Sequence, residues 1–402
     1  MMRIFWIALL VCLAGCGADG DAAANKAADT ATTAAAEGAA SEEVATTSTS
    51  TLQMQMPQLP DLADDDIGLL ARIHYATHTP DFDRAREFYR QLGYTEGVSG
   101  FPLTNTHAMA RSLGMFDLCQ YELAKGEVMA LPGSPNPASI DLLQFKTPFN
   151  PDPPYELPNH LGAAYAALAT ADFDHDVARL DEIGAERLSE PYGEVGERFV
   201  FFRDPDGVLY RLIEAEPAQP VQGSDMHIYD MPYVALNVSD LDASLKFYDR
   251  LGYAPVGEIS EYSGSAAEGR AYGLDGAFQL RTVDIRINRG DKHRLRLSQW
   301  LNPVDLDPPY PPPINHIGIN RIAVLVSNLD RAEDILKAQD VPFLSEVAPC
   351  CTGTGADETG IVHVIDPDGI YVELVGAIQK RGPQPQPDHC PALEIKYPPA
   401  DS

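Results

Sequence analysis

An internal duplication is the feature that most constrains how this 402-residue chain can fold. Three short blocks occur twice in the same order, at residues 83–94 and 242–253, 159–162 and 315–318, and 204–207 and 366–369. Three matched blocks at a nearly constant offset are typical of a duplicated domain. Any fold proposed for this chain must therefore be built from two similar halves.

Each half divides again into two similar units. In the first unit, apolar residues at helical spacing over 82–92 follow a short alternating strand at 72–77. Asp81 is placed to cap this helix and Gly93 to end it. The block Asp-Pro-Asp-Gly favours a type I turn and joins two strands as a hairpin. The chain is therefore predicted to contain four units, each of one strand, one helix and about three further strands.

The organisation of the whole chain follows from this repeat. We predict domains at 67–218 and 224–378, separated near the proline-containing segment 217–220. Residues 17–66 are mostly Ala, Thr, Ser, Asp and Glu, and we expect a disordered tether there. Residues 379–402 form a proline-rich tail that we expect to be extended.

The first 16 residues have the pattern of an export signal: a basic start, an apolar run and small residues before Cys16. Leu13-Ala14-Gly15-Cys16 resembles the bacterial lipobox, which implies cleavage before Cys16 and lipidation of its thiol. The apolar run is shorter than the about 20 residues that cross a bilayer. We expect a lipid-anchored protein in the cell envelope of a Gram-negative bacterium, and Gly17 implies the outer membrane. An ordinary signal peptide with a chance cysteine is the alternative.

The net charge limits the partners. The formal charge is −30, with 59 acidic and 29 basic residues. Such a surface repels phosphate backbones, so we expect no nucleic acid partner. It also repels anionic lipid, which leaves the acyl chain on Cys16 as the membrane attachment.

Four cysteines remain after Cys12 and Cys16: Cys119, Cys350, Cys351 and Cys390. Outside the cytoplasm they can pair, and three complete connectivities stay open. A bond between adjacent cysteines would be strained. We therefore favour a bond from Cys350 or Cys351 to Cys390, which would fix the tail.

The aromatic helix Phe88-Tyr89-x-x-Leu92-Gly93 and the Asp-Pro-Asp-Gly hairpin resemble the vicinal oxygen chelate superfamily. That group includes glyoxalase I, fosfomycin-resistance proteins and extradiol dioxygenases. The resemblance implies an α+β fold of two tandem domains, each a pair of βαβββ units that form a curved, open, mixed sheet. It also implies a divalent metal in the concavity of the sheet, held by side chains from the first and last strands of each unit.

The resemblance assigns eight positions to these strands. In domain one they are His74, Asp141, Tyr165 and Arg211, and in domain two Tyr233, Arg296, Arg321 and Glu373. His74 and Asp141 are the expected metal ligands, for iron, zinc, manganese or nickel, and His78 or His160 could complete the set. His160 and His316 lie in matched loops, for which a hydrogen bond that fixes the loop is the simpler explanation. The arginines would repel a cation.

The arginines also suggest chemistry without a metal. Arg321 and Arg296 could balance Glu373, and Arg211 could pair with Asp141, which leaves His74 as a proton carrier. Surplus guanidinium groups would suit a carboxylate or phosphate of a ligand. A closed network of ion pairs is the alternative.

We favour a lipoprotein that binds a small anionic or aromatic molecule through these residues: Tyr165, Arg211, Tyr233, Arg296, Arg321 and Glu373. The alternative is a metal-dependent lyase or ring-cleaving dioxygenase that acts through domain one with His74 as the catalytic residue. A structural envelope protein is the third hypothesis. Pairing across a homodimer, which occurs in this superfamily, could supply further metal ligands.

Overall fold

The computed structural model describes residues 62–98, 101–132, 139–217, 225–287, 292–350, 359–379, 386–394 and 396–397. The predicted signal segment, the lipidation site Cys16, Cys351 and most of the predicted tether lie outside these residues. No helix within the described ranges is both long and apolar enough to cross a membrane.

Each of the four units contains the predicted strand, ten-residue helix and following strands. Unit one consists of β1 (Leu69–His78), α1 (Phe82–Gln91), β2 (Glu96–Val98), β3 (Thr104–Asn105), α2 (His107–Ser112), β4 (Tyr121–Ala130) and β5 (Ser139–Thr147). Unit two consists of β6 (Gly162–Thr170), α3 (Phe173–Glu182), β7 (Glu186–Arg187), β8 (Phe199–Arg203) and β9 (Leu209–Glu214). Unit three consists of β10 (Ile228–Asn237), α4 (Leu241–Arg250), β11 (Tyr253–Gly264), α5 (Ala266–Ala271), β12 (Phe278–Ile287) and β13 (Arg294–Asn302). Unit four consists of β14 (Gly318–Val326), α6 (Leu329–Ala338), β15 (Ala348–Pro349), β16 (Thr359–Ile365) and β17 (Tyr371–Ala377).

The same local signals start and end the long helices. An Asp or Asn side chain accepts a hydrogen bond from a backbone N–H in the first turn of all four: Asp81, Asp172, Asp240 and Asn328. This satisfies donors that a helix start leaves free. Gly93 follows α1 at φ 105°, a left-handed conformation that glycine adopts without strain.

Two mixed sheets carry these units. Sheet one has the order β15-β16-β17-β14-β1-β5-β4-β2, with β3 on β4, and sheet two the order β11-β12-β13-β10-β6-β9-β8-β7. In each sheet the two first strands pair antiparallel, and each first strand pairs parallel with the last strand of its own unit. Each sheet is thus a pair of βαβββ units, which confirms the predicted fold class.

The two sheets group the four units differently from the two predicted domains, so the predicted grouping is wrong. Sheet one joins units one and four, and sheet two joins units two and three, so domains 67–218 and 224–378 each contribute to both sheets. The proline-rich connections 148–161 and 303–317 carry the chain from one sheet to the other. The predicted boundary near 217–220 joins β9 and β10, which lie in the same sheet. The repeat in the sequence defines each unit, but it does not determine which two units pair through their first strands.

A disulfide ties the tail to sheet one. Cys119 is bonded to Cys390, so the pairing of Cys390 with Cys350 or Cys351 is wrong. Leu103 N donates to Lys396 O at 2.7 Å and adds a backbone contact. The tail is fixed as expected, but to the segment before β4 and not to the segment after β15.

Candidate binding concavities

The eight predicted positions lie in two clusters of four, one on each sheet. We call them concavity A, with His74, Asp141, Arg321 and Glu373, and concavity B, with Tyr165, Arg211, Tyr233 and Arg296. The prediction grouped the eight positions by sequence half, so each predicted group contains residues from both clusters. Each cluster draws two residues from each half, so sharing between the repeats takes place within one chain.

A guanidinium group lies at the centre of concavity A. Arg321 Nη2 donates to Asp141 Oδ2 at 2.9 Å, and Arg321 Nε donates to Glu373 Oε2 at 2.7 Å. The side chain of Arg321 is 5% exposed. The predicted pairing of Arg211 with Asp141 is therefore wrong, and the cation paired with Glu373 is Arg321.

One cation between two buried carboxylates affects them differently. Burial alone would raise the pKa of Glu373, but the charge of Arg321, together with those of two nearby histidines once they are protonated, lowers it to about 2. Burial raises the pKa of Asp141, against the charges of His74 and Arg321. Glu373 is thus the carboxylate that the guanidinium holds most firmly in its ionised form.

The buried His363 and the half-buried His74 flank this network without bonding to it. His74 Nε2 lies 3.9 Å from Asp141 Oδ2, and His363 Nε2 lies 3.9 Å from Glu373 Oε2. No hydrogen bond reaches either ring nitrogen of these two residues within the described part of the chain. Burial lowers the pKa of His74 and lowers that of His363 to about 4. Both imidazoles are therefore neutral at pH 7.

His78 extends the network to the neighbouring strand. Its Nε2 lies 3.2 Å from Arg321 Nη1, and its Nδ1 lies 2.7 Å from Asn320 Nδ2. His160 differs, because its two ring nitrogens lie 2.8 Å from the carbonyl oxygens of Leu161 and Pro308. His78 thus joins concavity A, whereas His160 contacts the loops between the sheets.

The donor set of concavity A does not fit the divalent metal that the resemblance implies. The Arg321 guanidinium already stands between the two carboxylates and supplies the positive charge. The ligand atoms of His74, Asp141 and Glu373 are not among the groups of three that converge within 4.8 Å in the described ranges. Concavity B offers two tyrosines and two arginines at the same positions, which are not ligands for such ions.

Concavity B contains a paired arginine and an arginine with no carboxylate. Arg296 forms a fork with Asp284, with distances of 2.7 and 3.1 Å, and its guanidinium lies 3.9 Å from the ring centre of Tyr233. Burial alone would raise the pKa of Asp284, but hydrogen bonds from Arg296 and Arg294 lower it. Asp284 on β12 thus neutralises Arg296, and the predicted pairing of Arg296 with Glu373 is wrong.

Arg211 has no such partner. Its guanidinium lies 3.9 Å from the ring centre of Phe199 and 5.5 Å from that of Tyr272. Its Nη1 donates to the hydroxyl of Tyr233 at 3.2 Å, and its Nε has no hydrogen-bond acceptor in the part of the chain that the structure describes. No carboxylate lies within ion-pair distance of Arg211 in the described ranges. This side chain is therefore a cation held by aromatic rings.

The floor of concavity B is aromatic. Seven buried rings form it: Tyr165, Phe199, Phe201, Tyr233, Tyr272, Phe278 and Trp300. Trp300 Nε1 donates to Asn237 Oδ1 at 3.0 Å, which satisfies its one polar group. The guanidinium groups of Arg211 and Arg296 lie over these rings, and both residues are half-buried. An apolar floor below a positive rim is the result.

Sequence reasoning missed His363 and Asp284, which complete the two concavities. Each lies directly opposite a predicted residue on a neighbouring strand, His363 opposite Glu373 and Asp284 opposite Arg296. The turn at 366–369 fixes the first register, so counting outward from it would have found His363. The connection between β12 and β13 carries no comparable turn signal.

The comparison with known families agrees with this architecture. The profile of the glyoxalase/bleomycin resistance protein/dioxygenase superfamily matches residues 72–212 and 230–374. The chain belongs to this superfamily. The predicted resemblance is therefore confirmed, and the two matched regions correspond to the two halves of the repeat.

Solved structures show the same fold at low identity. Glyoxalase I from Zea mays superimposes with a TM-score of 0.50 at 17% identity, over 76% of this chain and 92% of the maize chain. A putative dioxygenase from Bacillus subtilis superimposes with a TM-score of 0.50 at 11% identity, over 77% of this chain and 86% of the other. No curated protein matches this chain. These similarities show the fold alone.

Proposed function

We propose that this glyoxalase-like protein binds a small aromatic anion in concavity B. The observation that carries the proposal is Arg211, a guanidinium over aromatic rings with no carboxylate partner in the described ranges. Two arginines and one carboxylate give concavity B an excess of one positive charge. A ligand carboxylate or phosphate can complete the donors of Arg211, and its ring can contact the aromatic floor.

Arginine suits this role better than lysine would. Its planar group can bind a carboxylate through two parallel hydrogen bonds, and its charge is lost only at very high pH. Tyr233 already accepts a hydrogen bond from Nη1, so the position of the guanidinium is defined before a ligand arrives. Such preorganisation lowers the entropy cost of binding.

Concavity A has a different role in this proposal. Its guanidinium is shared between Asp141 and Glu373 and has less capacity for an added anion. We propose that Arg321 replaces a metal there as a structural cation. Elemental analysis of untagged protein beside a His74→Ala variant tests this point. One metal ion per chain that is lost in the variant would instead favour the lyase or dioxygenase hypothesis.

Tryptophan fluorescence tests binding in concavity B directly. The chain has two tryptophans, Trp6 and Trp300, and Trp6 lies in the predicted signal segment. The emission of the mature protein would therefore report only on the aromatic floor. We expect benzoate or phenyl phosphate to change this emission in a saturable way, and the neutral analogue benzamide to have a much weaker effect.

Matched variants assign the effect to one guanidinium. Arg211→Met removes the cation from concavity B, whereas Arg203→Met removes one from the same sheet at a surface pair with Glu186. We expect the first variant to lose the response and the second to keep it. Equal responses to benzoate and benzamide, or an unchanged Arg211→Met variant, would contradict the proposal. No response to any of these compounds would favour a structural envelope role.

We further propose that Cys16 anchors the protein to the cell envelope, and the outer membrane is the expected location. The support is the sequence Leu13-Ala14-Gly15-Cys16 after a short apolar run. Mass spectrometry of the mature amino terminus should show a diacylglycerol-modified cysteine. A Cys16→Ala variant should lose the lipid and appear in the soluble fraction. An unmodified terminus would support an ordinary signal peptide.

A further inference from the structure

A second group of polar side chains lies outside both concavities, where the start of β10 meets α3. His175 Nδ1 lies 3.0 Å from Asp176 Oδ1, and His227 Nδ1 lies 3.1 Å from the same oxygen. The two imidazole rings are 4.8 Å apart at an interplanar angle of 87°. The three ligand atoms all lie within 4.8 Å of one another.

The carboxylate at the centre of this group is fixed by the surrounding structure. Asp176 is fully buried, and its Oδ2 accepts a hydrogen bond from Thr170 Oγ1 at 2.5 Å. The backbone N–H of His227 lies 3.0 and 2.9 Å from its two oxygens. Outer hydrogen bonds of this kind orient a metal-binding carboxylate before the ion arrives.

Comparison with the other three units shows that this carboxylate is an exception. Asp176 is the fourth residue of its helix, and the same position in α1, α4 and α6 is also fully buried. Those helices place Ala85, Ser244 and Ala332 there. A buried charge in place of a small neutral residue costs free energy unless it gains a strong partner. The repeat therefore singles out Asp176 as a carboxylate that the other three units do not carry at this position.

We propose that His175, Asp176 and His227 bind a divalent transition metal, with Zn²⁺ as the preferred ion. Two imidazoles and one carboxylate, with water in the fourth position, are a common zinc ligand set. Bonds of about 2.0–2.1 Å to a tetrahedral ion place neighbouring ligand atoms about 3.3 Å apart. The two separations to Asp176 Oδ1 are close to this value, and the third, between the two imidazole ligand atoms, is at most 4.8 Å.

Access and local charge favour this ion. The side chains of His175 and His227 are 44% and 36% exposed, so an ion can enter and keep a water ligand. The amino terminus of α3 would repel a cation. That effect is offset by Asp172, whose side chain caps the same helix.

The ion would connect two parts of the chain that lie on either side of the connection between β9 and β10. His175 and Asp176 belong to unit two, and His227 precedes the first strand of unit three. A metal bound only in the folded state stabilises that state by mass action. The site would therefore fix the chain at His227 onto α3, independently of the two concavities.

Calorimetric titration of the untagged full chain with Zn²⁺, after treatment with EDTA and without reductant, tests the proposal. We expect one equivalent bound by the wild type and an affinity at least tenfold lower in Asp176→Ala and His227→Gln. Asp176→Ala introduces the residue that α1 and α6 already carry at this position, so it should fold. A thermal scan should show that Zn²⁺ raises the Tm of the wild type and has much less effect on both variants.

Two control variants separate this site from other groups. His389→Ala changes a histidine beside the Cys119–Cys390 disulfide, and His74→Ala changes concavity A. Both should keep the wild-type affinity for Zn²⁺. Loss of binding in either control, unchanged binding in Asp176→Ala and His227→Gln, or no binding by the wild type at millimolar Zn²⁺ would each overturn the proposal.

Discussion

Concavities A and B use the same strand positions of one fold for opposite purposes. In A, two carboxylates and one guanidinium form a buried network with an excess of negative charge. In B, two guanidiniums and one carboxylate lie over seven aromatic rings with an excess of positive charge. The backbone therefore provides a frame, and the side chains at four positions decide the sign of the charge that the frame carries.

The comparison also shows how a duplicated chain can diverge. Each concavity takes one unit from each half, so a substitution in either half changes only one of them. The arginine at the start of unit four, Arg321, changes concavity A, and the arginine at the end of unit two, Arg211, changes concavity B. The two sites can thus change independently while the fold stays the same.

Removing the central cation of concavity A should have the largest effect. Arg321→Met leaves Asp141 and Glu373 buried without a positive partner, and we expect it to lower the free energy of unfolding by about 3–5 kcal/mol. Arg211→Met in concavity B breaks no ion pair and should cost at most about 1–2 kcal/mol, mainly from lost contact with the rings. Urea unfolding monitored by circular dichroism measures both.

A triple variant tests whether the unpaired buried carboxylates cause this loss of stability. Combining Arg321→Met with Asp141→Asn and Glu373→Gln removes both buried charges, so much of the lost stability should return. If Arg321→Met and Arg211→Met cost the same, or if the triple variant is no more stable than Arg321→Met, the described network does not stabilise concavity A.

Acid should destabilise concavity A more than concavity B. The pKa of His363 is lowered to about 4 in the folded protein, below the usual value near 6.5. The unfolded chain therefore takes up the proton first as pH falls below about 6.5. The resulting decrease in the free energy of unfolding reaches about 3 kcal/mol once pH is below 4. The lowered pKa of Glu373 acts in the same direction below about pH 4.5.

A non-titrating variant isolates this contribution. The stability of His363→Gln relative to the wild type should rise as pH falls from 7 to 4, measured by urea unfolding at each pH. Tyr165→Phe in concavity B should follow the wild-type pH dependence. Parallel curves for His363→Gln and the wild type would show that His363 does not cause the acid sensitivity.

Sequence reasoning found the strand positions because they depend on local counting. A ligand position lies a fixed number of residues before a helix cap or after a turn, and Asp81 and Gly369 mark such points clearly. It failed on the grouping, because the pairing of β1 with β14 is a contact between distant segments that no local pattern records. The partner of Cys390 was missed for the same reason, since Cys119 lies 271 residues away.

A histidine in place of the central cation should convert concavity A into a metal site. Arg321→His would leave two carboxylates and two imidazoles at positions that face one another, a suitable ligand set for Ni²⁺ or Zn²⁺. We expect the variant to bind one equivalent beyond the wild type and to gain about 2.7 kcal/mol when free metal exceeds the Kd a hundredfold. Elemental analysis and thermal unfolding measure both effects. No added equivalent would show that these residues cannot converge.

The smallest expected effect concerns the paired arginine of concavity B. Asp284→Asn releases Arg296 from its carboxylate, so two guanidiniums can attract a ligand anion. Because the side chain of Arg296 is 29% exposed, solvent screens the added attraction, and we expect about 1 kcal/mol, or about fivefold tighter binding of benzoate. Asp242→Asn removes a carboxylate from an exposed pair with Arg281 on the same sheet and should leave the affinity unchanged. Equal affinities for benzoate in Asp284→Asn and Asp242→Asn would mean that Arg211, and not Arg296, attracts the ligand anion. Arg296 would then serve only to hold Tyr233 in place.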